Sequence, residues 1–178
     1  MARVVSDAGP LIHLAQAKVL HLVQMVFGSL SITAGVRREA LDEGVRLHYE
    51  DAQIIGKGIE EGWIIIEVVA ESVFSAAKKL AEGENISQTD AETLLIAKEK
   101  AAEILVDEKI LSDLAKMYGL KVWNTWTILL ESLKRGFITV HEVESAITEL
   151  GEKRHKLTGN QAEEILRAAR LISSRKER

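Results

Sequence analysis

Cysteine is absent from this chain, which rules out a disulfide framework, a thiol nucleophile and a thiolate zinc site. Proline occurs once, at Pro10, and the glycines are scattered, so there is no long flexible linker. Long apolar runs are also missing. No stretch reaches the ~20 residues that cross a bilayer, and the opening Met1-Ala2-Arg3-Val4-Val5-Ser6-Asp7 meets an acid too early for a signal peptide. The expectation is a soluble cytoplasmic protein. There is no Gly-rich phosphate loop, no Gly-x-Ser-x-Gly elbow, no internal repeat and no low-complexity segment. The five histidines, His13, His21, His48, His141 and His155, lack metal-ligand spacing and read as surface or helix-face residues.

What remains is enough for one ordinary domain with a small appendage. The chain has 178 residues, of which 47% are hydrophobic. Its net charge of −4 is unevenly spread: residues 151–178 carry +4, leaving −8 on residues 1–150. An acidic body with a basic tail fits a cation-binding pocket flanked by a phosphate-steering segment, although for the tail alone a solvated terminal helix is the plainer reading.

Short β-rich runs alternate with longer helical patterns. Arg3–Ser6 reads as a strand, followed by a helix with Pro10 near its first turn. Leu30–Thr33 is a second strand, then a helix over about 34–43 and another through 49–61 that stops at Gly62. Trp63–Val69 is the clearest strand, with Ile64, Ile65, Ile66, Val68 and Val69 β-branched. A helix over 72–81 and a polar loop over 82–87 precede the helix of Asp90, with Ser87 or Thr89 as its cap. Residues 103–106 and 121–123 are two more strands, separated by a helix that stops at Gly119. A helix over 126–135 ends at Gly136. Thr139 with Glu142 and Thr158 with Gln161 are capping boxes for two terminal helices. Five strands alternating with helices predict a parallel sheet covered on both faces, with right-handed crossovers.

Four acids stand out in this frame: Asp7, Glu39, Asp90 and Asp107. Asp7 and Asp107 end short buried strands, where open α/β sheets bind ligands, and strands one and four are neighbours in a common doubly wound order. Each acid has an ordinary use. Asp7, Asp90 and Asp107 suit helix caps or first turns, and Glu39 suits a solvated helix face. Gathered together, however, they would repel one another and resist full ionisation unless a cation joined them, and hard divalent ions take such oxygen ligands.

The motifs carrying these acids resemble those of the PIN-domain nucleases, especially archaeal members of the VapC-like group. Val4-Val5-Ser6-Asp7-Ala8-Gly9-Pro10-Leu11-Ile12-His13-Leu14-Ala15 is similar to the family's opening strand and helix. Ser87-Gln88-Thr89-Asp90-Ala91-Glu92 with Leu94-Leu95-Ile96-Ala97 resembles its third-acid helix, and Ile104-Leu105-Val106-Asp107-Glu108 its fourth-acid strand end. Leu120 to Thr125, Leu129-Leu130 and Lys134-Arg135-Gly136-Phe137-Ile138 resemble the closing strand and helix. The likeness covers about residues 3–138. It departs from the pattern after Asp7, where Ala8 and Gly9 replace a small hydroxyl residue. Glu108 beside Asp107 leaves the fourth acid open by one position, and Glu92 is a further candidate.

The resemblance implies a three-layer αβα domain over 1–138, with a central, mostly parallel five-stranded sheet, and a C-terminal helical extension over 139–178 packed on or flanking it. It implies Mg²⁺ or Mn²⁺ held by Asp7, Asp90 and Asp107 with Glu39, and endoribonuclease chemistry leaving a 5′-phosphate and a 3′-hydroxyl. The toxin half of a toxin–antitoxin pair is the narrower expectation, with RNA, an antitoxin protein and a second copy of the chain as partners. Arg37, Arg38, Lys134 and Arg135 are candidate phosphate contacts, Trp123 and Trp126 candidate base-stacking residues, and Leu20, Leu22, Val23, Met25 and Val26 a candidate partner surface. A PIN-fold RNA-binding or assembly module without catalysis is the alternative. A phosphoaspartate signalling domain ranks third: Asp7-Ala8-Gly9-Pro10-Leu11 lacks the second Asp of a haloacid-dehalogenase motif.

Overall fold

The computed structural model describes residues 3–152 and 159–176. Five strands form one sheet in the order β3-β2-β1-β4-β5, from β1 (Val4–Ser6), β2 (Leu30–Thr33), β3 (Ile64–Glu67), β4 (Glu103–Leu105) and β5 (Val122–Trp123). Every pairing is parallel, as the alternation of strands and helices predicts. The order reverses between β1 and β4, whose register sets Val5 beside Ile104 and Ser6 beside Leu105.

Successive residues of a strand face opposite sides of the sheet, and here they enter two separate cores. Val4 and Leu105 join one with helices α1 (Ala8–Gln16), α2 (His21–Phe27) and α9 (Thr125–Arg135). Val5, Ile104 and Val106 join the other, with α7 (Gln88–Glu99) and α8 (Lys109–Met117), and α6 (Glu71–Glu84) supplies Val73 and Leu80 at its edge. This is the three-layer αβα architecture. Helices α10 (Val140–Glu152) and α11 (Gly159–Lys176) pack on α9 and on each other, and Val143, Leu150 and Ala169 are buried in the first core.

Leu20, Leu22, Val23 and Val26 lie in that core too, so the apolar face expected as a partner surface is interior; only Met25 is exposed. The helix expected over 34–43 is also different. It begins as α3 (Ala34–Arg37), widens into a π turn at Arg38–Asp42, and resumes as α4 (Glu43–Arg46) before α5 (Glu50–Glu60). Helix α6 runs on to Glu84 through residues expected in a loop, and Asn85 at φ 54° closes it.

Several stops fall as read: Gly62, Gly119 and Gly136 are all in left-handed conformations. Ser87 caps α7, its hydroxyl accepting from the Asp90 amide at 3.0 Å. Thr139 and Glu142 exchange the reciprocal bonds of a capping box. Thr158 of the second box, and Lys153, Arg154, Lys156 and Arg178 of the basic tail, lie outside the described residues. No single helix among those described is long and apolar enough to cross a membrane.

Candidate active site

The carboxyl ends of β1 and β4 open at the point where strand order reverses, the position at which doubly wound sheets bind ligands. A cleft of about 530 Å³ lies there. Asp7 enters it directly from β1, because its own amide still bonds the Leu105 carbonyl at 3.0 Å and so extends the ladder by one residue. It occupies the N-cap position of α1, where it makes no full capping bond, although the Ala8 and Gly9 amides at the start of that helix still favour its charged form. Glu39 comes from the π turn, a distortion that often marks functional sites. Asp90 comes from the first turn of α7.

Three of the four expected acids therefore line one cleft, together with Glu43, Asp51 and Glu108. Six carboxylates share the lining, and among the described residues no Lys, Arg or His joins them. The electrostatic consequence is concentrated on Asp7, which is only 8% exposed. Burial first, then the charges of Asp90 and Glu39, push its carboxyl up to about 7, against the opposing pull of the Ala8 and Gly9 amides. Glu39 is also raised, by desolvation and by Asp90, although the Thr89 hydroxyl donates to it. That donor can approach because position 35 is glycine: a Cβ there would stand 2.7 Å from Thr89 Oγ1.

Asp107 is placed differently. It stands at the end of β4 but does not line the cleft. Its Oδ2 lies 2.5 Å from His13 Nδ1 and accepts from the Thr125 hydroxyl at 2.6 Å, while Oδ1 accepts from the Thr125 amide at 2.8 Å. Burial pushes this carboxyl up, but the bonds from His13 and Thr125 outweigh it and hold Asp107 below the usual carboxylate range. The Thr125 amide is at the N-terminus of α9, where an anion is favoured. Glu92 is buried, bonded by Gln88 at 2.9 Å, and outside the cleft lining.

The chain matches the family described as a PIN domain over residues 3–170. It belongs to the PIN-domain family. No curated protein matches it. PIN domains are generally nucleases, so the cleft belongs to a fold of nuclease type. In this PIN domain the oxygen-rich lining suits a hard divalent ion by donor chemistry. Among the described residues, however, no three of these side chains are closed into a metal-binding group.

The contacts that Thr89, His13 and Thr125 make with the acids were not legible in the sequence. His13, expected on the surface or on a helix face, lies on α1 with its side chain 16% exposed and bonded to Asp107. Its position four residues after Gly9, on the helix face that follows Asp7, was the available signal. Trp123 packs edge-on against Phe27 with centroids 5.4 Å apart and lies under the Lys121 ammonium, and Trp126 packs against the first core; neither lines the cleft. Arg135 bonds Glu131 and the Val26 carbonyl, Lys134 lies 3.9 Å from Glu131, and Arg37 lies 3.6 Å from Asp42. None of these three lines the cleft, and neither does Arg38, although its charge partly offsets the upward push on the neighbouring Glu39 carboxyl.

Proposed function

We propose that this PIN domain is a divalent-cation-dependent endoribonuclease in which Asp7, Glu39 and Asp90 hold Mg²⁺ or Mn²⁺. One observation carries the reading: six carboxylates line a single cleft without a lining cation, and the buried one cannot ionise fully at neutral pH. Such a lining repels a phosphodiester unless positive charge enters it first. When bound, a divalent ion supplies that charge to the scissile phosphate and to the attacking water. The chain's own residues prepare for this. Asp7 gives up a proton as the cation enters, so binding releases protons near neutral pH. Thr89 fixes the Glu39 carboxylate from the side of α7, and Asp90 faces the same space from the first turn of that helix. Asp107 stands behind them, held by His13 and Thr125, where it fixes the end of β4 against α1 and α9.

The resemblance to VapC-like proteins supports the narrower reading, the toxin half of a toxin–antitoxin pair. A small open reading frame beside the gene would supply the antitoxin candidate, and light scattering of the purified protein reads whether it is a homodimer. A second reading has one observation in its favour: the carboxylates are not closed into a metal-binding group. On that reading the chain binds RNA without cutting it. Incubating mixed single-stranded RNAs with Mg²⁺, Mn²⁺ or EDTA separates the two. Cation-dependent cleavage that disappears in Asp7→Asn establishes the nuclease; RNA binding without any cleavage establishes the module.

A further inference from the structure

We infer that Glu108, not Asp107, supplies the fourth carboxylate of the cation site, and that Asp107 is a positioning residue locked in place by His13 and Thr125. The inference rests on the nuclease reading above and assigns roles within the same site.

The two acids are adjacent, and the chain runs extended between them and the start of α8, with Glu108 at φ −72° and ψ 132°. Neighbouring side chains of extended backbone point to opposite sides. Asp107 is turned toward α1 and α9, and its side chain is 10% exposed. An ionised carboxylate offers about four acceptor positions. Three of them are already used, one by His13 and two by Thr125. To take a cation, Asp107 would have to break one or more of these bonds and leave Thr125, itself fully buried, with an unpaired hydroxyl or amide.

Glu108 meets the opposite condition. It is exposed, makes no capping bond at the N-terminus of α8, and lines the same cleft as Asp7, Glu39 and Asp90. Its longer side chain can swing inward without disturbing the sheet. Meanwhile the Asp107 bonds join three elements: the end of β4, the His13 face of α1 and the first residue of α9. Because α1 also carries Ile12 and Gln16 into the cleft wall, the brace sets the position of that wall.

Calorimetric titration of Mn²⁺ into the full chain, alongside thermal melting in EDTA, tests this for Glu108→Gln, Asp107→Asn, His13→Gln and Asp7→Asn. Glu108→Gln should weaken Mn²⁺ by about tenfold or more, since affinity at such sites follows the ligand charge count, with its EDTA melting temperature unchanged. Asp107→Asn and His13→Gln should lower the EDTA melting temperature and weaken Mn²⁺ less than Glu108→Gln does. Full Mn²⁺ affinity in Glu108→Gln, or an equal or greater loss in Asp107→Asn, overturns the assignment. If Asp107→Asn does not fold, the Glu108→Gln titration still decides the matter. Asp7→Asn separates the two levels: if it binds Mn²⁺ like the wild type, the cation site itself is wrong, whatever the fourth ligand.

Discussion

Replacing Asp7 by Asn should make the cation-free protein more stable, and the gain should depend on pH in a defined way. In the folded chain the Asp7 carboxyl is raised from its ordinary 3.8 to about 7, by burial foremost and by Asp90 and Glu39 next. In the unfolded chain it ionises near the ordinary value. Between about pH 4 and pH 7 the folded state therefore holds a proton that the unfolded state has lost. Stability attributable to this residue falls as pH rises through that window and is flat above it. At about 1.4 kcal/mol per pH unit the full cost is about 4 kcal/mol. Asn removes the ionisation while nearly keeping the shape. The variant should match the wild type at pH 4 and exceed it by up to about 4 kcal/mol at pH 8, or about 10 °C in melting temperature for a domain of this length.

The assay is thermal unfolding followed by circular dichroism at pH 4, 6 and 8 in EDTA, then at pH 8 with Mn²⁺. Saturating cation at a hundred times its Kd stabilises the wild type by about 2.7 kcal/mol. If Asp7 helps to hold the ion as proposed, Asp7→Asn should bind it weakly and Mn²⁺ should narrow the gap at pH 8. Equal melting temperatures of the two proteins across the pH series in EDTA would refute the reasoning, because Asp7 would then be neither desolvated nor crowded. A lower melting temperature for the variant at pH 8 would do so more strongly.

Three other perturbations have expected outcomes. Mn²⁺ affinity measured by calorimetry should rise about tenfold per pH unit below pH 7 and level off above it, because the cation displaces the Asp7 proton; a flat profile from pH 5.5 to 7 contradicts this. Gly35→Ala should cost about 1–3 kcal/mol and reduce nuclease activity, since the new Cβ would stand 2.7 Å from the Thr89 Oγ1 that holds Glu39; denaturant melts should show partial rescue on adding Thr89→Ala. Ala101→Gly should stabilise the protein by about 0.5–1 kcal/mol, because Ala101 sits at φ 48° with the paired bonds that close α7, Ala101 to Lys98 and Ala102 to Ala97. An unchanged urea midpoint would show that this position carries no strain.

The features legible in the sequence were those set by local chemistry. Ile64 to Ile66 announced β3 because β-branched residues crowd a helix and suit a pleated strand, and Gly119 and Gly136 announced helix ends because glycine enters the left-handed region freely. Asp7 and Asp90 could be placed because a strand end and a helix start delimit where a doubly wound sheet opens, whereas Glu39 lies inside a helical stretch and was tied to them by the family resemblance. The rest depended on contacts between distant parts of the chain. Ala101 adopts the left-handed conformation although nothing in its side chain favours it. The π turn at Arg38–Asp42 has no local signature, since Val36 and Ala40 keep ordinary helical spacing. His13 meets Asp107 across 94 residues.

The pair Asp7 and Asp107 shows why position alone could not assign roles. They are the same residue type, both follow short central strands, and those strands are neighbours in the sheet. Burial raises both carboxyls by the same mechanism. What separates them is the company each keeps. Asp107 receives an imidazole, a hydroxyl and a helix N-terminal amide, and remains ionised within the protein's own hydrogen bonds. Asp7 is raised by burial foremost and then by Asp90 and Glu39, with only the Ala8 and Gly9 amides to offset them. A carboxylate satisfied by donors gains little from a cation; one crowded by like charge gains the most. That difference in environment, not in sequence motif, is why a cation entering the cleft would relieve Asp7 more than Asp107.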